Sequence, residues 1–443
     1  MLPVRSRPSF LALCLLLAAC GGGGDGGGTT PPAPEACSVA AQNAWLATYF
    51  DDWYFWYRQA PRPDAAAYGS VQAYFEARRY TGSDAAFPAD RWSYEQSTAE
   101  FNRTFGDGVT LGYGVAVTGV EADGDATRPL WVRYVDPGSP AEAAGVQRGD
   151  RVISLNGRAV EGLIATRDYS LLTAAQAGDT LTLGLRRAGT DRTVVLTAAL
   201  YSLVPVPRVA VRETPGGRKL GLLQVQQMIS QSLAPMDSAF AQFLAAGVND
   251  LVLDLRYNGG GLVSTGGMLA SYIAGSRAAG LAYARLVFND KHAASNATYG
   301  FSQPAAALSL PRVYVLAGPR TCSASEQVIA GLRGAGIEVV LVGDTTCGKP
   351  VGFQPASNCG RTYSVVNFES VNQRGEGRYF DGLAAHCPVP EDFSVAQGSD
   401  ADPLLAAAAQ LADGGACPRA APLDAPQVRR GAAAAVPGVM LAR

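Results

Sequence analysis

Apolar and polar positions recur with a different period in successive stretches of the chain, and each period predicts its own kind of element. Residues 1–20 carry Arg5 and Arg7, an apolar run from Phe10 to Leu17, and then Leu17-Ala18-Ala19-Cys20. That run is too short to span a bilayer and reads as a targeting segment. Residues 21–36 hold Gly, Pro and Thr with almost no apolar side chains, the composition of a flexible tether. From 37 to 105, Trp45, Tyr49, Trp53 and Trp56 recur at three to four residues, which predicts a small helical domain with an aromatic core. Between 106 and 207 the period shortens to strands and turns: "LWVRYVDPGSPAEAAGVQRGDRVISLNGRAV" holds a strand, a Pro-Gly turn, a short helix from Pro140 and a second strand ending at Asn156-Gly157. From 208 to 417 buried strands alternate with helices. Leu251 to Arg256 is an apolar strand running into Asn258-Gly259-Gly260-Gly261, with a helix from about Val263. Arg312 to Ala317 is a strand before Thr321 to Ser325 and a helix through Leu332, and Ile337 to Gly343 is a strand whose exit loop carries Lys349. Residues 418–443, rich in Ala, Pro and Arg, are expected to lack fixed structure.

Strand, helix, strand in succession is a βαβ unit, whose strands pair in parallel through right-handed crossovers. Their C-terminal ends then share one edge of the sheet, where open parallel sheets place their sites. Just past three such ends lie Asn258 to Gly261, Thr321 to Ser325, and Asp344 to Lys349. One crevice can therefore receive a glycine turn, a serine and a lysine, the parts of an acyl-transfer site. A serine at a strand-to-helix turn exposes its hydroxyl, and the following N–H, at the positive end of a helix, stabilises an oxyanion. The Gly260-Gly261 turn lets a substrate carbonyl approach a second N–H. The hydroxyl proton still needs a base. The two histidines, His292 in "NDKHAASN" and His386 beside Cys387, lie in no recognisable triad motif. Lys349 is better placed, provided that burial lowers its pKa from about 10.4 by roughly 3 units. Uncharged neighbours from Thr345 to Pro350 suit that requirement, whereas Asp344 would oppose it if the two side chains met. Ser325 reads as a capping residue.

Composition narrows the partners. With 443 residues, 48% hydrophobic residues and a net charge of −2, the chain has length for two or three domains and no basic excess for nucleic acid. Only Lys219, Lys291 and Lys349 are lysines, so one in this crevice stands out against a background of arginine. No Gly-Lys-Ser/Thr follows Gly261, and the cysteine spacings do not resemble a zinc site, so neither nucleotide, metal nor organic cofactor is expected. Small residues before Cys20 and glycines after it fit a bacterial lipoprotein signal better than a plain secretory one. Cys20 would then carry the lipid anchor in the bacterial cell envelope, and Gly21 resembles outer-membrane sorting, with the protein facing the periplasm. Six cysteines remain for that oxidising compartment, so disulfides are expected. Cys322 with Cys347 would tie the serine turn to the lysine loop, and Cys359 with Cys387 and Cys37 with Cys417 are weaker pairings.

The stretch 106–207 resembles a PDZ domain, because Gly138-Ser139-Pro140-Ala141, Ala144-Gly145, Gly149-Asp150 and Asn156-Gly157 fall in that family's order. The resemblance implies that Leu111, Gly112, Tyr113, Gly114 and Val115 form the loop whose N–H groups bind a peptide's terminal carboxylate, while the peptide adds as a strand. "LVLDLRYNGGGL", "TCSASE" and "TTCGKP", in this order after it, resemble the C-terminal-processing, or tail-specific, serine peptidases over about residues 100 to 410. That likeness implies Ser323 as nucleophile, Lys349 as general base, Glu326 and Thr346 in support, and oxyanion donors from the N–H of Ala324 and of Gly260 or Gly261. Gly259 departs from a proline common in the family, the interval from Ser323 to Lys349 is one residue longer, and Arg333 and Gly334 stand where some relatives carry an acid. The expected whole is α/β: a helical N-terminal region, a PDZ β-barrel-like domain and a peptidase core with a largely parallel sheet. It would be an endopeptidase that takes protein or peptide substrates by their free C-termini. A PDZ scaffold that binds peptides without turnover is the alternative.

Overall fold

The computed structural model describes residues 37–119, 124–418 and 439–442. The targeting segment, the lipidation site at Cys20 and the tether lie outside the described residues. Helix Val39–Trp53 starts at Ser38, whose side chain accepts the Ala41 N–H at 3.2 Å, as an N-cap does. Its aromatic stripe is core: Leu46, Tyr49 and Phe50 are buried with Tyr54, Trp56, Tyr74, Phe75 and Trp92. The same cluster takes in Val351, Phe353 and Tyr363, so the N-terminal helices pack directly onto the elements around Lys349. Strand Tyr94–Ser97 continues this union by pairing antiparallel with Arg361–Ser364.

The PDZ module enters and leaves through one antiparallel pair, Val109–Gly112 with Ala199–Ser202. Its sheet runs from Val115–Val117 at one edge through Leu130–Val135, Arg151–Leu155 and Thr180–Arg187 to Thr190–Thr197. Alternate residues point inward, so Leu130, Val132, Leu181, Leu183 and Leu185 form its core with Leu163 and Ile164 of helix Val160–Thr166.

The C-terminal portion holds two six-stranded sheets. The first runs Arg208–Glu213, Lys219–Gln224, Asp250–Asp254, Arg312–Ala317, Glu338–Gly343, Cys387–Pro388, and every pairing after the first is parallel. Strand alternation sends Leu223, Leu251, Leu253, Val313 and Leu341 toward helices Leu233–Ala246, Val263–Ala274 and Ala324–Gly334. Leu220, Leu222, Val252, Leu316 and Val342 face helix Pro403–Ala412 on the other side. The expected parallel sheet is this one. The second sheet is mixed, in the order Gly260–Leu262, Val439–Leu441, Val351–Phe353, Val366–Val371, Ala282–Phe288, Ala297–Gly300.

Two expectations need correction. Residues 439–441, in the stretch expected to lack structure, form a strand of the second sheet, with Met440 and Leu441 fully buried. The Ala- and Pro-rich surroundings hid a short apolar segment that has a groove to fill. Of the disulfides, Cys322–Cys347 is as expected, but the others are Cys37–Cys359 and Cys387–Cys417. The hairpin of Ala356–Asn358 and Arg361–Ser364 presents Cys359 beside the N-terminal helices, whereas Cys387 lies on the sheet covered by Pro403–Ala412, the helix that leads to Cys417.

Candidate active site

The serine turn is held by the exit of the neighbouring strand Asp250–Asp254. Thr321 Oγ1 donates to the Leu255 carbonyl at 2.9 Å, and the Asn258 carbonyl accepts both the Cys322 N–H at 3.1 Å and Ser325 Oγ at 3.0 Å. Ser325, expected as a cap, is instead a clamp onto the glycine turn. These bonds force an abrupt entry into helix Ala324–Gly334, and Ser323 takes φ 61° and ψ −115°. Such a conformation costs a residue with a side chain about 1–3 kcal/mol and persists only when its surroundings over-determine it. The Ser323 hydroxyl is buried and has no hydrogen-bond partner among the described residues. A polar group so placed costs about 1–3 kcal/mol, the signature of an atom kept for a ligand or a reaction.

Glu326, one turn into the helix, joins the serine to the lysine loop. Its Oε2 accepts the Ser323 N–H at 2.9 Å and the Lys349 N–H at 2.8 Å, while Oε1 accepts Thr346 Oγ1 at 2.5 Å and the Gly348 N–H at 2.8 Å. One buried carboxylate thus fixes both candidate catalytic backbones. Burial pushes its pKa up, and the bonds from Thr346, Lys349, Ser323 and Gly348 oppose that rise. Thr346 is held in turn by the Leu383 N–H on Oγ1 at 2.7 Å. The Cys322–Cys347 disulfide and a bond from the Cys347 N–H to the Thr321 carbonyl at 3.1 Å stitch the same two segments again. Gly348 must be glycine: its φ is +82°, and a Cβ would fall 2.2 Å from the Phe380 carbonyl oxygen.

Lys349 is fully buried, with Nζ 3.7 Å from the centroid of the Phe353 ring. Desolvation holds the amine well below its usual pKa, against the opposing fields of Asp90 and Glu326. Asp344, the acid expected to interfere, is exposed and its Oδ1 accepts the Thr345 N–H. Asp90 comes from the N-terminal region, held by Tyr54 Oη at 2.6 Å and the N–H groups of Trp92 and Ser93 at 2.9 Å each. Nothing near Asp90 in the sequence marks it, because its relation to Lys349 exists only after the helices dock. Asn258 is a second residue the sequence left without a role: its carbonyl clamps the serine turn and its Nδ2 donates to the Val225 carbonyl at 2.9 Å. Neither histidine approaches this arrangement. His292 stacks on Trp53 with ring centroids 3.5 Å apart, and His386 Nδ1 accepts the Leu341 N–H at 2.9 Å.

Of the expected oxyanion donors, Ala324 is the first residue of its helix, where an N–H has no acceptor within the helix. Gly260 requires correction, since its N–H is taken by the Asn258 side chain, donating to Oδ1 at 2.8 Å. Asn258 needs that bond to hold the turn. Gly261, at φ +139° with no room for a Cβ against the Met228 carbonyl, remains the candidate second donor. The metal-like grouping of Cys322, Glu326 and Cys347 is not a cation site, because both sulfurs are spent in the disulfide.

In the PDZ module, Leu111 and Gly112 belong to the strand paired with Leu200 and Ala199, so the expected carboxylate loop shrinks to Tyr113 to Val115. Val115–Val117 is an edge strand, open on one side to an added strand. The module touches the peptidase core through Arg148, which donates to Tyr257 Oη at 2.7 Å, Glu391 Oε1 at 2.8 Å and the Val395 carbonyl at 2.9 Å. Tyr257 immediately precedes the glycine turn.

Comparison with known proteins agrees with this architecture. Residues 219–374 match the family model of peptidase family S41, residues 131–187 that of the PDZ domain, and residues 41–94 that of the peptidase S41 N-terminal domain. Over 253 residues the chain is 30% identical to a chloroplastic C-terminal processing peptidase of Tetradesmus obliquus, covering 55% of this chain and 52% of that one. A carboxyl-terminal-processing protease of Picosynechococcus sp. is 28% identical over 249 residues, covering 53% of this chain and 55% of its own. The chain spans about half the length of these curated relatives. The crystal structure of an S41 protease from Bacteroides fragilis superposes with a TM-score of 0.64 at 26% identity, over 84% of this chain and 97% of that one. All three matches fall in sequence order on the N-terminal helices, the PDZ sheet and the core that holds the serine, so the chain carries a peptidase S41 N-terminal domain, a PDZ domain and a peptidase family S41 core.

Proposed function

We propose that this chain is a serine endopeptidase that works through a Ser323–Lys349 dyad on polypeptides presented by their C-terminal tails. The observation that carries the reading is a buried serine hydroxyl with no partner among the described residues and a buried lysine with depressed pKa, both hung by their backbone N–H groups from the one carboxylate of Glu326. Neutral Lys349 takes the Ser323 proton as Oγ bonds to the scissile carbonyl carbon, and the N–H groups of Ala324 and Gly261 receive the oxyanion. Collapse breaks the C–N bond, with the Lys349 ammonium returning its proton to the leaving amine. Water then hydrolyses the acyl-enzyme with Lys349 as base again. The open edge of Val115–Val117 and the turn from Tyr113 support peptide capture by strand addition in the PDZ module.

A lipid anchor at Cys20 and a place in the bacterial envelope rest on the N-terminal sequence, and the three disulfides suit an oxidising compartment. No helix among the described residues is long and apolar enough to cross a membrane. Casein hydrolysis by the wild type, abolished in Ser323→Ala and in Lys349→Arg, is the expected result, because arginine keeps its proton. Hydrolysis that survives in Ser323→Ala would sink the assignment. Peptide binding without any hydrolysis by the wild type would favour the scaffold.

A further inference from the structure

We propose that the groove between Gly260–Leu262 and Val351–Phe353 receives the substrate as an extended strand, and that residues 439–442 of this same chain occupy it in the resting protein. The inference rests on the peptidase reading for the meaning of the groove. Its walls are the catalytic elements: one strand is the glycine turn and the other directly follows Lys349. Residues 439–441 lie between them, parallel to both, with Gly260 opposite Val439, Gly261 opposite Met440, and Leu262 and Phe353 both opposite Leu441. In the described sheet this segment is what joins the glycine strand to the rest.

The glycine strand turns its reactive edge toward the occupant. Gly260 offers its carbonyl to the Met228 N–H at 2.9 Å, and Leu262 donates to the Met228 carbonyl at 2.7 Å. Backbone groups alternate along a strand, so the N–H and carbonyl of Gly261 face the opposite side, where Met440 lies. The proposed oxyanion donor thus points at residues 439–442. The third wall is the serine helix: Gln327 Nε2, one turn after Ser323, donates to Met440 Sδ at 3.6 Å. At the far end the Ala442 N–H donates to the Phe353 carbonyl at 3.1 Å, and a Cβ on Gly352 would sit 2.9 Å from the Met440 carbonyl oxygen. With Met440 and Leu441 in place, Ser323 and Lys349 are both 0% exposed, which leaves a second strand no route to either.

The ligand class follows from these contacts. The groove takes an extended polypeptide read mainly through its backbone, with two consecutive apolar side chains of the size of Met and Leu. A tethered segment has an effective concentration of about 1 mM, so a substrate strand must displace it. If the free segment binds with a Kd of about 0.1 mM, the tether lowers the reactivity of the site about tenfold.

The test compares the full chain, a chain ending at Pro418, which keeps Cys387–Cys417, and full-length Met440→Asp. A fluorescent Val-Met-Leu-Ala-Arg peptide is titrated by anisotropy into the Ser323→Ala form of each, so that no turnover is needed. Fluorophosphonate labelling of Ser323 is timed in the forms that keep the serine. Expected are peptide binding to the shortened chain and to Met440→Asp but not to the full chain, and labelling about tenfold faster in the first two. Peptide binding that needs removal of the segment, with no labelling of any form, would keep the groove and reject the peptidase reading. Equal binding by all three forms, or by none, would overturn the proposal. So would a lower melting temperature and slower labelling in both altered forms, which would make the segment a fixed strand of the fold.

Discussion

Burial holds the Lys349 amine well below its ordinary pKa of 10.5, so a neutral base is present at a pH where a surface lysine is charged. Activity is therefore expected to rise with pH through the folded-state value and to stay high into the alkaline range. The same shift has a stability consequence of definite sign. Below the folded pKa the buried ammonium destabilises the fold by a constant amount; between that pKa and 10.5 the unfolded chain binds the extra proton, so stability climbs as pH rises. Lys349→Met is expected to abolish hydrolysis yet raise stability at pH 7 by up to about 1.4 kcal/mol for each pH unit by which the pKa is lowered, read as a higher melting temperature, with the gain vanishing near pH 10.5. A gain that grows with pH would contradict this. Glu326→Gln sets an amide N–H₂ against backbone donors, and each buried group left unpaired costs about 1–3 kcal/mol. The expected outcome is a lower melting temperature and a lower kcat with KM little changed, whereas Thr346→Ser, which keeps the hydroxyl, should stay near wild type in both measurements. Ser323 and Lys349 were legible because their loops leave parallel strands at one edge of the sheet, whereas Glu326 and Thr346 were legible only through the resemblance of their motifs to those of the tail-specific peptidases. Asp90 and Asn258 were not, since a facing carboxylate and a carbonyl clamp leave no local pattern.

Among the elements, the serine turn and the lysine loop are tied together by one carboxylate and one disulfide. Removing the Cys322–Cys347 bridge as a double alanine variant frees a loop of sequence separation 25. A loop of that size contributes about 3 kcal/mol in the chain-entropy model. Lower thermal stability and slower Ser323 labelling are both expected, and unchanged labelling would show that Glu326 alone suffices. This pair was readable in advance because both cysteines flank catalytic motifs. The other two bridges were misassigned because hairpin register and helix docking, not spacing, set which sulfurs meet. The strand at 439–441 escaped the sequence for a related reason: three residues carry almost no periodicity, and only the groove gives them a conformation.

For the molecule as a whole, the N-terminal helices, the PDZ module and the core are joined at the site rather than strung along the chain. The N-terminal region supplies Asp90 from the loop after its second helix and packs on Phe353, and the PDZ module reaches Tyr257 through Arg148. Arg148→Ala would remove its bonds to Tyr257, Glu391 and the Val395 carbonyl while leaving Glu391 with Tyr257 and Arg256, and losing a charged hydrogen bond of this kind costs about 1.5–3 kcal/mol. A fall in melting temperature and in Ser323 labelling is expected, without rescue by Arg148→Lys, since an ammonium cannot make the same fork of bonds. The order of domains and the parallel sheet could be read from periodicity, while these junctions arise from side chains far apart in sequence. The most direct measurement of the central claim is the rate of fluorophosphonate modification of the full chain against pH, with the adduct located by mass spectrometry. The account predicts one adduct, on Ser323, forming faster as pH rises and absent in Lys349→Met. A rate independent of pH, or an adduct that forms equally well without the Lys349 amine, would contradict it.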